Sequence, residues 1–184
     1  MTDRTVHTIG HSTRTIDAFL ALLRAHGIDT LLDIRTVPRS RRHPQFERRR
    51  LAHSLADVGI EYRHVASLGG LRRPAKSSVN TAWRNESFRG FADYMQTKEF
   101  NDAVDALAEL AAERKAAIMC AEAVPWRCHR SLVGDALLVR GVDVVDIISE
   151  TSVRKHNLTP FARVEGTRIT YPEPSPNVTP GFDE

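Results

Sequence analysis

The stretch from Cys120 to Arg130, read as C-x-E-x-x-P-x-x-C-H-R, holds the densest set of reactive side chains in this 184-residue chain. Cys128 lies beside His129 and between Arg127 and Arg130. Neighbouring cations and a helix N-terminus lower a thiol pKa, so Cys128 is a candidate thiolate nucleophile. Glu122, His11 and His129 are candidate proton donors and acceptors. Cys120, at the end of an apolar run, reads first as a small buried hydrophobe. A metal reading would gather Cys120, Cys128 and His129 around a transition metal such as zinc or iron, with His11 or Glu122 nearby. The C-x7-C-H spacing is not that of a zinc finger, which weakens this reading. A phosphatase-type loop needs arginine six places after its cysteine; position 126 is Trp126, and Arg127 comes one place late. Neither G-x-G-x-x-G nor a Walker loop occurs.

A second group of residues suits anions. His11-Ser12 offers a base and a hydroxyl. Arg35, Arg39 and Ser40 follow an apolar segment, and Gly69-Gly70 and Arg130 complete the anion-binding candidates. Gly69-Gly70 is a turn signal first and a phosphate cradle second. Asp33 and Arg35 stand two apart on an extended segment and so share a side, where an ion pair would order the site. Arg39, Arg41, Arg42, Arg48, Arg49 and Arg50 form a basic cluster that suits phosphate contacts. No helix-turn-helix or other reader motif accompanies it, so sequence-specific DNA binding is not indicated.

These residues need a scaffold that brings distant loops to one place. Segments at Val6 to Gly10, Thr30 to Ile34, Glu61 to Val65, Ala116 to Cys120 and Val142 to Ile148 read as strands. Between them lie helices: Thr13 or Thr15 to His26, Pro44 to about Val58, Phe88 to Met95, Phe100 to Arg114, and Arg127 to Arg140. Arg72 to Glu86 reads as a long loop. Ala162 to Tyr171 alternates around Glu165-Gly166 as a terminal hairpin. Strand–helix alternation predicts an α/β fold, Rossmann-like or flavodoxin-like, with a mostly parallel sheet of about five strands and helices on both faces. Ligands in such sheets bind beyond the strand carboxyl ends, where the candidate residues fall. One domain is expected over residues 1–172, with a flexible Pro-rich tail at 173–184.

Composition bounds the function classes. Hydrophobic residues make up 41% and charged residues 27% of the chain, an ordinary balance for a globular protein. No apolar run approaches the roughly 20 residues that span a bilayer, and the N-terminus carries no targeting pattern. Two cysteines do not make a disulfide framework. The expectation is a cytoplasmic protein with reduced thiols and no membrane contact. The net charge of +3 hides an asymmetry: Arg35 to Lys76 carries eleven Lys/Arg against three Asp/Glu, and Asp93 to Glu122 three against seven. A basic surface favours an anionic small molecule or nucleic acid as partner.

In the order Thr8-Ile-Gly-His-Ser12, Asp33-Ile-Arg35, Pro38-Arg-Ser40, Leu68-Gly-Gly70 and Cys120 to Arg130, the chain resembles domain-of-unknown-function family 488. The resemblance runs from about Val6 to Ile148. It implies a compact α/β fold with these segments lining one face, and supplies no reaction, substrate or cofactor. Three functions stay open on the residues themselves. The first is an enzyme acting on a phosphate-bearing substrate, nucleotide or nucleic acid, through a Cys/His/Glu site. The second is a non-catalytic nucleic-acid-binding module working through Arg39 to Arg50. The third is a thiol or metal redox sensor.

Overall fold

The computed structural model describes residues 4–174. Ten of the twelve residues expected to form a Pro-rich tail, 175–184, lie outside the described residues.

Each expected strand forms. They are β1 (Thr5–Gly10), β2 (Thr30–Asp33), β3 (Glu61–His64), β4 (Ala116–Cys120) and β5 (Asp143–Ile147). The helices are α1 (Ile16–Ala25), α2 (Arg48–Asp57), α3 (Glu86–Tyr94), α4 (Lys98–Leu110) and α5 (Arg130–Leu138). Side-chain caps set several boundaries. Thr15 accepts from the Ala18 N–H, Asn85 from Ser87 and Phe88, and Thr97 from Phe100, which satisfies backbone donors that the first turn leaves free.

Two expected helices are shorter than their patterns suggested. Pro44–Phe46 makes a single 3₁₀ turn, the chain extends at Glu47, and α2 starts afresh with the Glu47 carboxylate accepting from Arg49 N–H. Likewise Pro125–Arg127 is a separate 3₁₀ turn, and extended backbone at Cys128 divides it from α5. Proline suits a first turn, but one turn can close without propagating.

The sheet has six strands in the order β3-β2-β4-β1-β5-β6. The first five are parallel, and β6 (Val153–Lys155) adds antiparallel to β5. This edge strand was missed because three exposed residues, Val153, Arg154 and Lys155, show no burial period. The terminal hairpin forms a separate ribbon of β7 (Arg163–Glu165) and β8 (Arg168–Thr170), with Gly166 at positive φ in its turn.

Alternation along the strands divides the core in two. Ile9, Leu31, Ala117 and Met119 pack with Phe19, Leu22 and Leu23 of α1 and Leu51 and Leu55 of α2. Val6, Leu32, Ile118 and Cys120 face the other way, against α3, α4, α5, Ile169 and Tyr171. From β1 the chain crosses past β4 to β2, whereas from β4 it crosses past β1 to β5. The connections therefore diverge at the β1/β4 pair, where an open α/β sheet leaves a crevice beyond its carboxyl edge.

Candidate active site

Beside that crevice, beyond the carboxyl ends of β2, β3 and β4, lies a cleft of about 410 Å³, lined by Arg35, Thr36, Val37, Arg39, Gly70, Leu71, Ser87, Phe88, residues 120–122 and residues 127–129. Gly10 and Cys120 are register partners at the ends of β1 and β4. The ladder continues beyond them, with His11 N–H donating to the Cys120 carbonyl and Ser12 N–H to that of Ala121, each at 3.0 Å. Holding this path puts Ser12, a non-glycine residue, at φ 49°, in the left-handed region.

The sulfurs of Cys120 and Cys128 are in contact at the cleft wall. Their Cα atoms stand 7.4 Å apart, beyond the span of a relaxed disulfide. The two sulfurs nonetheless stand within reach of a disulfide, and reduction leaves them as neighbouring thiols. Cys128 Sγ also lies 3.5 Å from Nδ1 of His129 and accepts from Arg130 N–H at 3.5 Å. His129 Nε2 donates to the Ile34 carbonyl at 3.1 Å, so the neutral ring turns its Nδ1 lone pair toward Cys128. Burial lowers the His129 pKa to about 4, although the Ile34 and Leu68 carbonyls pull it upward. Gly70 makes this arrangement fit: a Cβ there would stand 2.5 Å from Nδ1 of His129. Gly69 packs as closely on Thr36. The glycine pair thus admits His129 and Thr36 to the loop.

The anion-binding candidates divide into those on the cleft and those turned away. Arg39 and Arg127 are exposed on its wall, as is Glu122. Arg35 reaches the wall but is committed to Asp33, donating from Nε at 2.9 Å and Nη2 at 2.6 Å, with Nη2 also donating to the Phe46 carbonyl at 2.8 Å. Tyr62 donates to the same carboxylate at 2.7 Å. The expected Asp33–Arg35 pair is therefore present, and it cancels most of the charge that Arg35 would offer an anion. Arg130 is 1% exposed, with its guanidinium pointing into the protein. It donates to the Glu122 carbonyl at 2.9 Å and reaches Thr8 Oγ1, which itself donates to Asp146. Burial lowers its pKa to about 10, with Asp146 acting in the opposite direction; it remains a cation at neutral pH. Ser40 Oγ accepts from His43 N–H at 3.0 Å and stands off the cleft.

His11 and Ser12 are likewise outside the cleft lining. His11 stacks on Phe46 with ring centroids 4.3 Å apart. Its Nδ1 donates to the Ser12 carbonyl at 2.9 Å, and its Nε2 accepts from Arg35 at 3.4 Å. Both ring nitrogens are engaged, and burial lowers the pKa to about 4. Its contacts make it a support for Arg35. The metal donors do not converge either. Among the described residues no group of three His, Cys, Asp or Glu side chains is placed to hold a metal ion. His11, the further candidate donor, lies on Phe46.

The sequence reading did not single out Arg127, Ser87 or Phe88. Arg127 sits one place late for a familiar phosphate loop. Ser87 and Phe88 reach the cleft because α3 packs over it, for which local sequence carries no signal.

The fold and site define a mostly parallel α/β protein with a cysteine-lined cleft beyond the carboxyl ends of β2, β3 and β4. Residues 15–137 match the family described as Domain of unknown function DUF488, and the chain belongs to it. No curated protein and no solved structure matches the chain. Among the described residues no helix is long and apolar enough to cross a membrane.

Proposed function

We propose that this protein is a thiol-dependent enzyme acting on a phosphate-bearing substrate held in the cleft, with Cys128 as nucleophile. The observation that carries this reading is the position of Cys128 Sγ, on the cleft wall between the His129 Nδ1 lone pair and the N–H that opens α5. A thiol there can pass its proton to Nδ1 while the helix N-terminus stabilises the thiolate. The thiolate attacks an electrophilic centre of the substrate, and the departing group takes the proton from His129. Glu122 then accepts a proton from the water that releases the product from sulfur, and returns it to the departing thiolate. Arg39 and Arg127 hold the phosphate at the cleft wall. A reduced thiol pair suits a cytoplasmic location.

The test is the pH profile of Cys128 alkylation by iodoacetamide, in reduced protein carrying Cys120→Ser. The expected apparent pKa lies below the ordinary thiol value of about 8.5, with protection by inorganic phosphate. Slow labelling at every pH without phosphate protection would overturn the proposal.

The contact between the two sulfurs favours a second reading, a redox-sensing thiol pair. Peroxide would take two electrons from the thiols, forming the Cys120–Cys128 bond and two waters. Brief peroxide treatment followed by intact-mass measurement separates the readings: a sensor loses two hydrogens reversibly, whereas an ordinary nucleophile over-oxidises to sulfinate.

A further inference from the structure

The cleft continues into a basic surface. Arg39 lies on the cleft wall, and the Arg48 N–H donates to the Pro38 carbonyl at 3.0 Å, which seats the start of α2 against the Arg39 loop. Arg39, Arg41, Arg42, Arg48, Arg49 and Arg50 are all exposed. Among the described residues none of the six forms an ion pair. The single carboxylate within that run, Glu47, caps the helix through the Arg49 N–H. Six uncompensated guanidiniums on a loop and the helix beside it set up a strong positive potential along one path.

Beside Arg127, where the cleft meets the Pro125–Arg127 turn, stands Trp126, 56% exposed. The Arg154 guanidinium lies over its ring, 5.0 Å from the centroid. Leu71, 74% exposed, and Val37 add apolar surface at the cleft itself. Cys120 and Cys128 are only 3% and 5% exposed, so a reactive group must enter the cleft to touch sulfur. A base paired inside a duplex cannot do so without leaving its stack.

We infer that the phosphate-bearing substrate is a single-stranded nucleic acid, its backbone tracking Arg39 to Arg50, one nucleotide entering the thiol-lined cleft and a neighbouring base stacking on Trp126. The inference rests on the proposed function and names its substrate class. Arginines along a backbone combined with an aromatic platform are the general means of holding single strands. The cleft volume of about 410 Å³ falls in the range of small-ligand pockets.

The test is fluorescence anisotropy on the full chain with labelled oligo(dT) and oligo(U) of about 12 nucleotides, against a duplex of equal length and adenosine monophosphate. Single strands are expected to bind more tightly than either competitor, and more weakly as salt rises. Replacing Arg48, Arg49 and Arg50 together by alanine is expected to reduce the log–log salt slope by about 2. Trp126→Ala is expected to weaken single-strand binding roughly 5- to 100-fold. Circular dichroism of both variants confirms that they fold. If adenosine monophosphate binds as tightly as the strand and the arginine variant binds like the parent, the substrate class is wrong. Cys128 alkylation separates the two proposals: protection by adenosine monophosphate in that case leaves the thiol enzyme standing with a small-molecule substrate. Duplex binding equal to single-strand binding, untouched by Trp126→Ala, also overturns the inference.

Discussion

The Arg130 guanidinium holds the Glu122 carbonyl at 2.9 Å across the loop that separates the two cysteines. The same carbonyl oxygen closes over Gly10, where a Cβ would collide with it. Arg130 thus fixes the loop from beneath, with its charge set near Asp146 through Thr8. Arg130→Ala removes one partner from this buried assembly. The expected loss is about 3–5 kcal/mol in urea unfolding, with a changed pH profile of Cys128 alkylation in whatever fraction remains folded.

Gly70→Ala tests the packing of His129. The new methyl must stand 2.5 Å from Nδ1, so either the ring or the loop gives way. Overpacking of this kind costs roughly 1–3 kcal/mol. The imidazole also loses its place beside Cys128, and alkylation at neutral pH is expected to slow. Gly59→Ala is the control: nothing lies within 4 Å of its Cβ position, though its φ of +76° carries strain. It is expected to lower stability without altering the alkylation profile.

Acid should weaken the fold in a defined window. Burial lowers His7, His11 and His129 to about 4, against about 6.5 in the unfolded chain. Between those values the unfolded chain binds more protons than the folded one, so stability rises with pH. It is fully present above about pH 6.5 and falls as pH drops toward 4. Each histidine contributes a slope of up to about 1.4 kcal/mol per pH unit. The measurement is the urea midpoint from pH 7.5 to 4.5. Converting His7 and His11 to glutamine should flatten the curve.

The segment after Ser149 lies beyond the family match, yet it closes one face of the core. Buried Asp135 accepts from His156 Nε2 at 2.9 Å, Thr159 N–H at 3.1 Å and Tyr171 OH at 2.8 Å. Tyr171 also packs against Trp83 and Phe161. Tyr171→Phe keeps the ring and removes one bond to the carboxylate. The expected cost is roughly 2 kcal/mol, read from guanidinium unfolding, with single-strand binding unchanged because the ring is kept and neither Asp135, His156, Thr159 nor Tyr171 lines the cleft.

Much of the architecture was legible because it is written in short-range periods. Strand segments alternating with amphipathic helices point to a parallel α/β sheet, and the rule for such sheets directs attention to the strand carboxyl ends, where the candidate cleft lies beyond β2, β3 and β4. The Cys120 to Arg130 stretch stood out by residue type alone. The Asp33–Arg35 pair followed from spacing two along an extended chain. What the tertiary structure decided is the direction in which each polar side chain points. Arg130 turns inward because its neighbours in space, Thr8, Asp146 and the Glu122 carbonyl, come from β1, β5 and the β4–α5 loop. His11 is drawn onto Phe46 and Arg35 rather than into the cleft. The contact of Cys120 with Cys128 depends on how a loop closes over Gly10, and the entry of Phe88 and Ser87 on how α3 packs. These outcomes depend on contacts between residues distant in sequence, and local propensity and spacing carry no record of them.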